Sequence, residues 1–413
     1  MTLSIVGAAS LIALDGEGPI RGRAASQVSV DHAVGVAVEE GRIAEVGRVA
    51  GGSTTFDAAG CTVVPGFVDP HTHLPFYGWR ADEDGARLAG IRYGSIHAEG
   101  GGIYRSQRLL AEASDDDVIS FCRDIAASML RKGTTTFETK SGYGLTVEDE
   151  LRQLRLAKRL ASEVPQDVVT TFLAAHAVPE GYTQGAWIGE ITKAFDAAAG
   201  EALCEAVDIY VETIAFGLEH AARLSEEAGS RGWAMRVHAD QLENGQTASM
   251  AARWGFRSAD HLNHSSLDAV DDLAASDTAA VLLPGATFTL RQSKKPPARE
   301  LLTADAIVAL GTDFNPGTSP IHSMPLVVAL ACRLYGLRPL EALVGATANA
   351  AYVLGRDDRI GRLRPGHAAD IVVLDADGFE HVAYRPDADL VLAVLKDGEF
   401  VYLAPGAEDR FKG

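Results

Sequence analysis

The chain has 413 residues, of which 47% are hydrophobic and 23% are charged, and its formal net charge at pH 7 is -19. This length favours a main domain with a smaller second one, and the composition is that of a globular protein rather than a disordered one. No apolar run approaches the roughly 20 residues that cross a bilayer, and an acidic chain without a Lys/Arg cluster is a poor partner for nucleic acid. The opening segment lacks the positive start of a signal peptide, so we expect a cytoplasmic protein with no membrane association.

The segments near the two ends of the chain share one pattern. AVGVAVEEGRIAEVG near the start and DLVLAVLKDGEFVYL near the end each have the form strand, glycine-containing turn, strand. RLRPGHAADIVVLDA adds a predicted return strand. We therefore predict that residues 1–64 and 365–413 form one small β-sandwich domain from both termini.

The middle of the chain, residues 65–364, alternates short apolar runs with longer amphipathic segments such as DVISFCRDIAASMLRKG and VEDELRQLRLAKRLASE. Eight runs read as strands: Thr62 to Asp69, Thr134 to Lys140, Val168 to Ala175, Asp208 to Ala215, Ala234 to His238, Ser258 to His261, Ala279 to Pro284, and Ile307 to Asp313. Eight parallel strands close into a barrel without edges. The predicted fold class is α/β, a (β/α)8 TIM-like barrel with a β-sandwich satellite.

The four cysteines are expected to be buried free thiols. They are scattered along the chain without a CxxC pair, which argues against a disulfide framework and against a zinc-thiolate site. They are Cys61, Cys122, Cys204 and Cys332.

Several histidines and one aspartate fall at the predicted strand ends, where a barrel of this type carries its catalytic groups. They are His71 and His73 after the first strand, His176 after the third, His238 in the fifth, His261 in the sixth and Asp313 in the eighth. The other histidines lie in segments predicted to be surface or satellite (His32, His220, His322, His367, His381), or nearer the barrel mouth without an assigned role (His97, His264).

The His-x-His pair in PGFVDPHTHLPF predicts a metal site. Side chains alternate along extended backbone, so His71 and His73 point to the same side. With His238 and Asp313 at matching strand ends, three imidazoles and one carboxylate can hold one divalent ion and leave room for a water molecule. We predict this ligand set.

A set of longer motifs runs along nearly the whole chain: VDPHTHLPF, GWRADED with RLAGIRYGSI and GGGI, TTTFETKSGYGLTVEDELR, TFLAAHAVP, RVHADQL, SADHL, and LGTDFNPGTSP followed by ATANAAYVLGR. In these motifs the chain resembles a known family, the imidazolonepropionases of histidine degradation in the amidohydrolase superfamily.

The resemblance implies hydrolysis of 4-imidazolone-5-propanoate to N-formimidoyl-L-glutamate, with one zinc or iron ion per chain and a homodimer as the assembly. It places the metal ligands at His71, His73, His238 and Asp313. It places substrate contacts at Arg80, Tyr143, His176, Gln241, Asn315, Gly317 and Thr318. Tyr77, Trp79 and Glu243 lie in loops that depart from the family pattern, so a close analogue stays open as the substrate.

Chemical roles follow for the catalytic set, Asp313, His261 and Gln241. Asp313 both ligates the ion and acts as general base towards water, returning the proton to the leaving nitrogen. His261 steadies the same water or the developing oxyanion. Arg80 suits the propionate of the substrate, because a guanidinium pairs with a carboxylate.

A mononuclear site is expected, since the lysine that bridges two metals in binuclear relatives would end the fourth strand, and DIYVETIAF contains none. Lys140 is instead expected to pair with Glu138 or to lie at the barrel mouth.

The alternative functions are another cyclic amidohydrolase or a deaminase acting on a different heterocycle, and a metal-free scaffold protein. Deaminases with the same mononuclear ligand set, a His-x-His pair, a further His and an Asp, usually have Glu where this chain has Gln241, and the amide of Gln241 cannot carry a proton.

Overall fold

The computed structural model of the protein describes residues 2–90 and 101–412. His97 and the IRYGSI part of one family motif lie outside the described residues. The strands are β1 (Thr2–Ala8), β2 (Ser10–Leu11), β3 (Val34–Glu39), β4 (Arg42–Gly47), β5 (Thr54–Asp57), β6 (Thr62–Pro65), β7 (Phe67–Asp69), β8 (Thr134–Lys140), β9 (Asp167–Ala175), β10 (Ala206–Ile209), β11 (Ala234–Ala239), β12 (Ser258–His261), β13 (Ala279–Leu282), β14 (Val308–Leu310), β15 (Ile371–Leu374), β16 (Val391–Lys396), β17 (Glu399–Leu403) and β18 (Phe411–Lys412).

Helices separate most of these strands. The α-helices are α1 (Ala81–Leu88), α2 (Ile103–Glu112), α3 (Asp115–Arg131), α4 (Val147–Glu163), α5 (Gln184–Gly200), α6 (Leu218–Ser230), α7 (Thr247–Arg253), α8 (Leu267–Ala274), α9 (Pro284–Thr289), α10 (Ala298–Thr303), α11 (Met324–Tyr335), α12 (Pro339–Gly345), α13 (Ala348–Val353) and α14 (Glu380–Tyr384). Of the helices in the described ranges, none combines the length and the apolar character that a membrane span requires.

The barrel is an eight-stranded sheet in which β7 to β14 follow one another in chain order, and each neighbouring pair is parallel. Its first and last strands meet just beyond their ends, where His73 N donates to Phe314 O at 2.9 Å and Asp313 N donates to His71 O at 3.0 Å. The predicted (β/α)8 barrel is confirmed. This closure also brings the HTH segment beside Asp313.

The helices predicted from amphipathic patterns form as expected on the outside of the barrel. In α3 and α4 the N-cap side chains, Ser114 and Thr146, accept hydrogen bonds from the backbone N–H groups of Asp117 and Asp149. Such caps satisfy N–H groups that the helix itself leaves unpaired. Each helix buries one apolar face, and α4 packs against β9.

The satellite is built from two five-stranded sheets, ordered β18-β5-β1-β3-β4 and β17-β16-β15-β6-β2. Both chain ends contribute, because β18 pairs with β5 and β15 pairs with β6. The sheets share one apolar core, to which Ile5 and Phe56 contribute from one sheet and Val63 and Val373 from the other. The predicted β-sandwich formed by both termini is confirmed, while the segment limits 1–64, 65–364 and 365–413 stay predictions.

The first predicted strand, Thr62 to Asp69, is in fact two strands. β6 pairs antiparallel with β15 in the satellite, and β7 pairs parallel with β8 in the barrel. The hydrogen-bond partners change at Gly66, whose N donates to Asp370 O at 2.9 Å, while Phe67 N donates to Gly133 O. One continuous apolar run therefore connects the two domains, which composition alone does not reveal.

The fourth predicted strand, Asp208 to Ala215, is wrong in its limits. β10 ends at Ile209, because a turn follows in which Ala215 N donates to Glu212 O at 2.9 Å and Phe216 N donates to Tyr210 O at 3.3 Å. Tyr210 still forms a parallel bridge to His238, whereas the turn carries Ile214 beyond the sheet, and both residues line a cavity at the barrel mouth.

Candidate active site

A cavity of about 390 Å³ opens at the carboxyl ends of the barrel strands. Polar groups from several βα loops converge on it beside an aliphatic wall, as is typical of a small-molecule site. Its lining residues are His73, Arg80, Ile103, Tyr143, His176, Tyr210, Ile214, His238, Gln241, Leu242, His261, Leu290, Gln292, Asp313, Asn315 and Thr318.

A cluster of histidines and one aspartate forms the floor of this cavity. Asp313 Oδ1 lies 3.2 Å from His73 Nε2 and 3.6 Å from His71 Nε2. The His238 ring lies 4.6 Å from the His71 ring and 5.3 Å from the His261 ring, between ring centroids. Ligand atoms of His71, His73 and Asp313 lie within 4.8 Å of one another, and so do those of His71, His238 and His261.

Backbone conformation at the strand ends directs two of these side chains. His261 and Asp313 have φ angles of 80° and 53°, in the left-handed region that residues with a Cβ rarely adopt. Each such residue costs about 1–3 kcal/mol and persists where the surrounding structure enforces it, commonly at functional sites. Both residues turn sharply as their strands leave the barrel.

Two further aspartates orient the histidines. Asp260 Oδ2 lies 2.5 Å from His71 Nδ1, and Asp208 Oδ2 lies 3.1 Å from His238 Nδ1. A carboxylate at Nδ1 keeps the proton on that nitrogen and leaves the Nε2 lone pair free to bind a cation. In the described part of the chain, the buried Nε2 atoms of His71 and His238 have no hydrogen-bond partner. These donor atoms therefore fit a divalent metal ion.

Burial favours the neutral, metal-binding form of three of these histidines. It lowers the pKa of His71 and His73 well below the usual value for histidine, and the nearby Lys140 ammonium acts in the same direction on both. At His238 burial also lowers the pKa, but the Asp208 carboxylate outweighs it and the net shift is upward. Burial likewise lowers the pKa of His261 to about 3. Neutral imidazole is the ligand form for ions such as zinc and iron.

Lys140 lies beneath the cluster in a buried charge network. Its Nζ lies 2.7 Å from Glu138 Oε1 and 2.8 Å from Asp208 Oδ2, and Arg236 Nη1 donates to the same Glu138 oxygen at 2.7 Å. The two cations balance the two carboxylates within a barrel interior that excludes water. The expected Lys140–Glu138 pair is confirmed, and through Asp208 the network reaches His238.

Arg80 extends its guanidinium into the side of the cavity. The residue is only 5% exposed, and Glu83 Oε2, the nearest carboxylate oxygen in the described ranges, lies 3.7 Å from Nε. Within the described residues, Nε and Nη1 have no hydrogen-bond partner. Gly317 makes room for the group, because a Cβ at that position would lie 1.3 Å from Arg80 Nη2. A buried guanidinium with unsatisfied N–H groups is suited to an anionic ligand.

Tyr143 and His176 lie on the loops that follow β8 and β9. The His176 ring stacks on His73 with 5.2 Å between centroids and 19° between planes. Its Nδ1 lies 3.2 Å from Gly142 O, to which it donates. The other ring nitrogen, Nε2, is thereby left as an acceptor. Gly142 has a φ of 116°, and a Cβ there would lie 2.8 Å from His176 Nδ1, so this contact requires glycine.

Asn315 organises the loop after β14 as well as lining the cavity. Its Oδ1 accepts from Gly317 N at 2.9 Å and Thr318 N at 2.6 Å, and its Nδ2 donates to Asp313 O at 2.6 Å. Its side chain thus fixes the backbone that carries Asp313. Gln241 lines the cavity near His238, and its backbone carbonyl oxygen accepts a hydrogen bond from Gln292 Nε2 at 3.3 Å.

The structure brings the residues selected from the sequence into one region. His71 belongs to the buried cluster without lining the cavity, Gly317 lies next to Arg80, and the other selected residues line the cavity. Sequence reasoning missed Asp208, Asp260 and the wall residue Leu290. A signal existed for Asp260, which directly precedes His261 in SADHL, since a carboxylate in a barrel strand needs a partner.

The amidohydrolase family model matches residues 62–401. An imidazolonepropionase from Rubrobacter xylanophilus is 42% identical over 98% of this chain and 99% of its own length. One from Symbiobacterium thermophilum is 39% identical over 97% of each chain. One from Aeromonas salmonicida is 40% identical over 83% of this chain and 84% of its own.

Solved structures share the fold. A triazine hydrolase from Arthobacter aurescens superposes with a TM-score of 0.74 at 16% identity, covering 98% of this chain and 96% of its own. An adenosine deaminase from Xanthomonas campestris with bound zinc superposes with a TM-score of 0.71 at 18% identity, covering 97% of this chain and 93% of its own. The family match and the full-length relatives agree with the site geometry: this chain belongs to the amidohydrolase family, in its imidazolonepropionase branch.

Proposed function

We propose that this protein hydrolyses the cyclic amide bond of 4-imidazolone-5-propanoate to give N-formimidoyl-L-glutamate, a step of histidine degradation. The single observation that carries the proposal is that one cavity combines a buried histidine and aspartate cluster with the Arg80 guanidinium, two of whose nitrogens lack a hydrogen-bond partner among the described residues. A ring amide and a carboxylate side chain need those two groups. Relatives named imidazolonepropionase, of nearly the same length, support the assignment.

His71, His73, His238 and Asp313 would hold one divalent ion, zinc or iron. The orphaned Nε2 atoms of His71 and His238 and the 3.2 Å approach of Asp313 to His73 support this set. Such an ion supplies a water nucleophile at neutral pH by lowering the pKa of bound water to about 7.

Asp313 transfers the proton from water to the leaving nitrogen. Its carboxylate takes a proton from water as the water oxygen attacks the ring carbonyl carbon, and returns it to the ring nitrogen as the carbon–nitrogen bond breaks. His261 is neutral and lies across the cluster, so its N–H can donate to the oxyanion that develops on the carbonyl oxygen.

The remaining selected residues hold the substrate. Arg80 pairs with the propionate, and the cavity of about 390 Å³ has room for a small heterocycle. Tyr143 and His176, which also line the cavity, present polar groups to the ring. The aliphatic side chains of Leu242 and Leu290 also line the cavity.

Ring opening is favoured over deamination. Gln241 lies at the cavity where deaminases of this scheme use a glutamate, and an amide does not transfer protons. We therefore place Gln241 among the catalytic and substrate-contacting residues as a hydrogen-bonding group. A homodimer and a cytoplasmic location stay predictions.

A substrate panel tests the assignment. The metal-loaded protein is incubated with 4-imidazolone-5-propanoate, with the same ring lacking the propionate, and with guanine and cytosine as deaminase substrates. We expect ring-opened product from the first compound, detected by mass spectrometry, at a kcat/KM far above that for the second. Ammonia release from guanine or cytosine at a higher kcat/KM would refute the proposal in favour of deamination.

A further inference from the structure

Two buried polar residues on α4 hold the loop that carries Tyr143. We infer that Glu150 and Gln153 are positioning residues for substrate binding, acting through the backbone of residues 141–145 and through His176. The inference rests on the proposed function for the identity of the substrate. It concerns the KSGYGLTVEDELR segment, whose acidic residues the reaction itself does not use.

Glu150 receives a concentrated set of backbone donors. Its carboxylate accepts from Gly142 N at 2.8 Å, Gly144 N at 2.7 Å and Leu145 N at 3.0 Å. The side chain is fully buried, so each of these N–H groups would lack a partner without it. A carboxylate that accepts several backbone hydrogen bonds fixes the path of a loop that has no regular structure of its own.

Gln153 connects this loop to a second one. It lies one turn after Glu150, on the same face of α4, and is also fully buried. Its Oε1 accepts from Tyr143 N at 3.0 Å, and its Nε2 donates to Pro75 O at 2.7 Å. Pro75 belongs to the segment that leads from His73 to Arg80. The Gln153 side chain therefore fixes the Tyr143 loop relative to the loop that carries Arg80, which we call the carboxylate anchor because it is proposed to bind the propionate of the substrate.

The position of this loop also determines the orientation of the His176 ring. Its Nδ1 donates to Gly142 O, the carbonyl of the residue whose N–H is held by Glu150. Displacement of Gly142 would release the His176 ring from the orientation in which it stacks on His73. Tyr143 and His176 are placed as substrate-binding groups that take no part in the proton transfers assigned to Asp313, so loosening them should weaken ground-state binding and raise KM more than it lowers kcat.

The test compares Glu150→Gln with Glu148→Gln. The amide introduced at position 150 would direct an NH2 group towards one of the three backbone N–H groups, which leaves donors facing each other in a buried site. Glu148 is the matched control, because it lies in the same first turn of α4 but its side chain is 80% exposed and pairs only with Arg155 at 3.2 Å among the described residues. Both variants lose the same charge near the same helix N-terminus.

We expect a rise in KM of about tenfold for Glu150→Gln with kcat changed by less than about threefold, and wild-type constants for Glu148→Gln. Metal content should equal that of the wild type in both. Equal KM values for the two variants, or a loss confined to kcat, would overturn the inference.

A second variant and a second readout cover the case in which Glu150→Gln fails to fold. Gln153→Met keeps the volume and removes both hydrogen bonds, so it should also raise KM. Amide hydrogen exchange of Gly142, Tyr143, Gly144 and Leu145 should be slow in the wild type and faster in either variant. Unchanged exchange would overturn the inference even if the substrate were a different compound, whereas wild-type protein without turnover would refute only the proposed function.

Discussion

Adding one methyl group at Gly317 should disable the carboxylate anchor while leaving the fold intact. A Cβ at this position would lie 1.3 Å from Nη2, 2.4 Å from Cζ and 3.0 Å from Nε of Arg80. The three nearest atoms all belong to the end of one flexible side chain, and φ at Gly317 lies outside the left-handed region. Gly317→Ala therefore strains no backbone, and the guanidinium moves away instead.

The size of the effect follows from the interaction that is lost. A hydrogen bond to a charged partner contributes about 1.5–3 kcal/mol, so losing one between Arg80 and the propionate raises KM by about 10- to 150-fold. The free energy of unfolding should change by less than about 1 kcal/mol, since alanine also restricts the unfolded chain slightly. The expected result is a stable protein with weak substrate binding.

A double-mutant cycle provides the assay. KM and kcat are measured for wild type, Gly317→Ala, Arg80→Ala and the double variant, and thermal unfolding is followed for each. If the alanine at 317 acts through Arg80, it should have little further effect once Arg80 has been removed. Full additivity of the two effects on kcat/KM, or a wild-type KM for Gly317→Ala, would refute the reasoning.

Three further predictions concern the metal cluster and the thiols. Asp313→Ala should lower kcat/KM by at least about 100-fold, because the proton acceptor is gone; a folded, metal-loaded variant with wild-type turnover would contradict the role of Asp313. Asp208→Asn should weaken metal affinity by about 10- to 100-fold in competition with a chelator, because His238 loses the carboxylate at Nδ1; unchanged affinity would contradict that role. Burial raises the pKa of Cys332 to about 11 and that of Cys122 to about 12, and only Cys332 among the four thiols is partly exposed. Iodoacetamide should therefore modify the native protein slowly and at Cys332 first; fast labelling of Cys122 would contradict the predicted burial.

Local patterns were sufficient for the barrel and for the residues at its strand ends. A histidine or aspartate that lies within a few residues of the end of an apolar run, such as His71 or Asp313, is placed by the strand before it, so period-two alternation and the barrel topology predict its location. The satellite was predictable for the same reason, because hairpins with Gly between alternating residues need no distant information.

The features that could not be predicted from the sequence depend on contacts between residues far apart in the chain. The break at Gly66 depends on β15, about 300 residues later in the chain, which captures β6 for the satellite. Asp208 and Lys140 look like separate strand residues until the barrel closes and places them 2.8 Å apart. Glu150 resembles an ordinary acidic residue in the first turn of a helix, and only the folded loop shows the three N–H groups it accepts from.

The central claim is that the histidine and aspartate cluster and Arg80 together open the ring of 4-imidazolone-5-propanoate. The most direct measurement follows N-formimidoyl-L-glutamate release from freshly prepared substrate by metal-loaded protein, by protein stripped with a chelator, and by stripped protein resupplied with zinc or iron. Rapid release that is lost on stripping and restored by the ion is the predicted result. A fully metal-loaded protein that releases no product would contradict the claim.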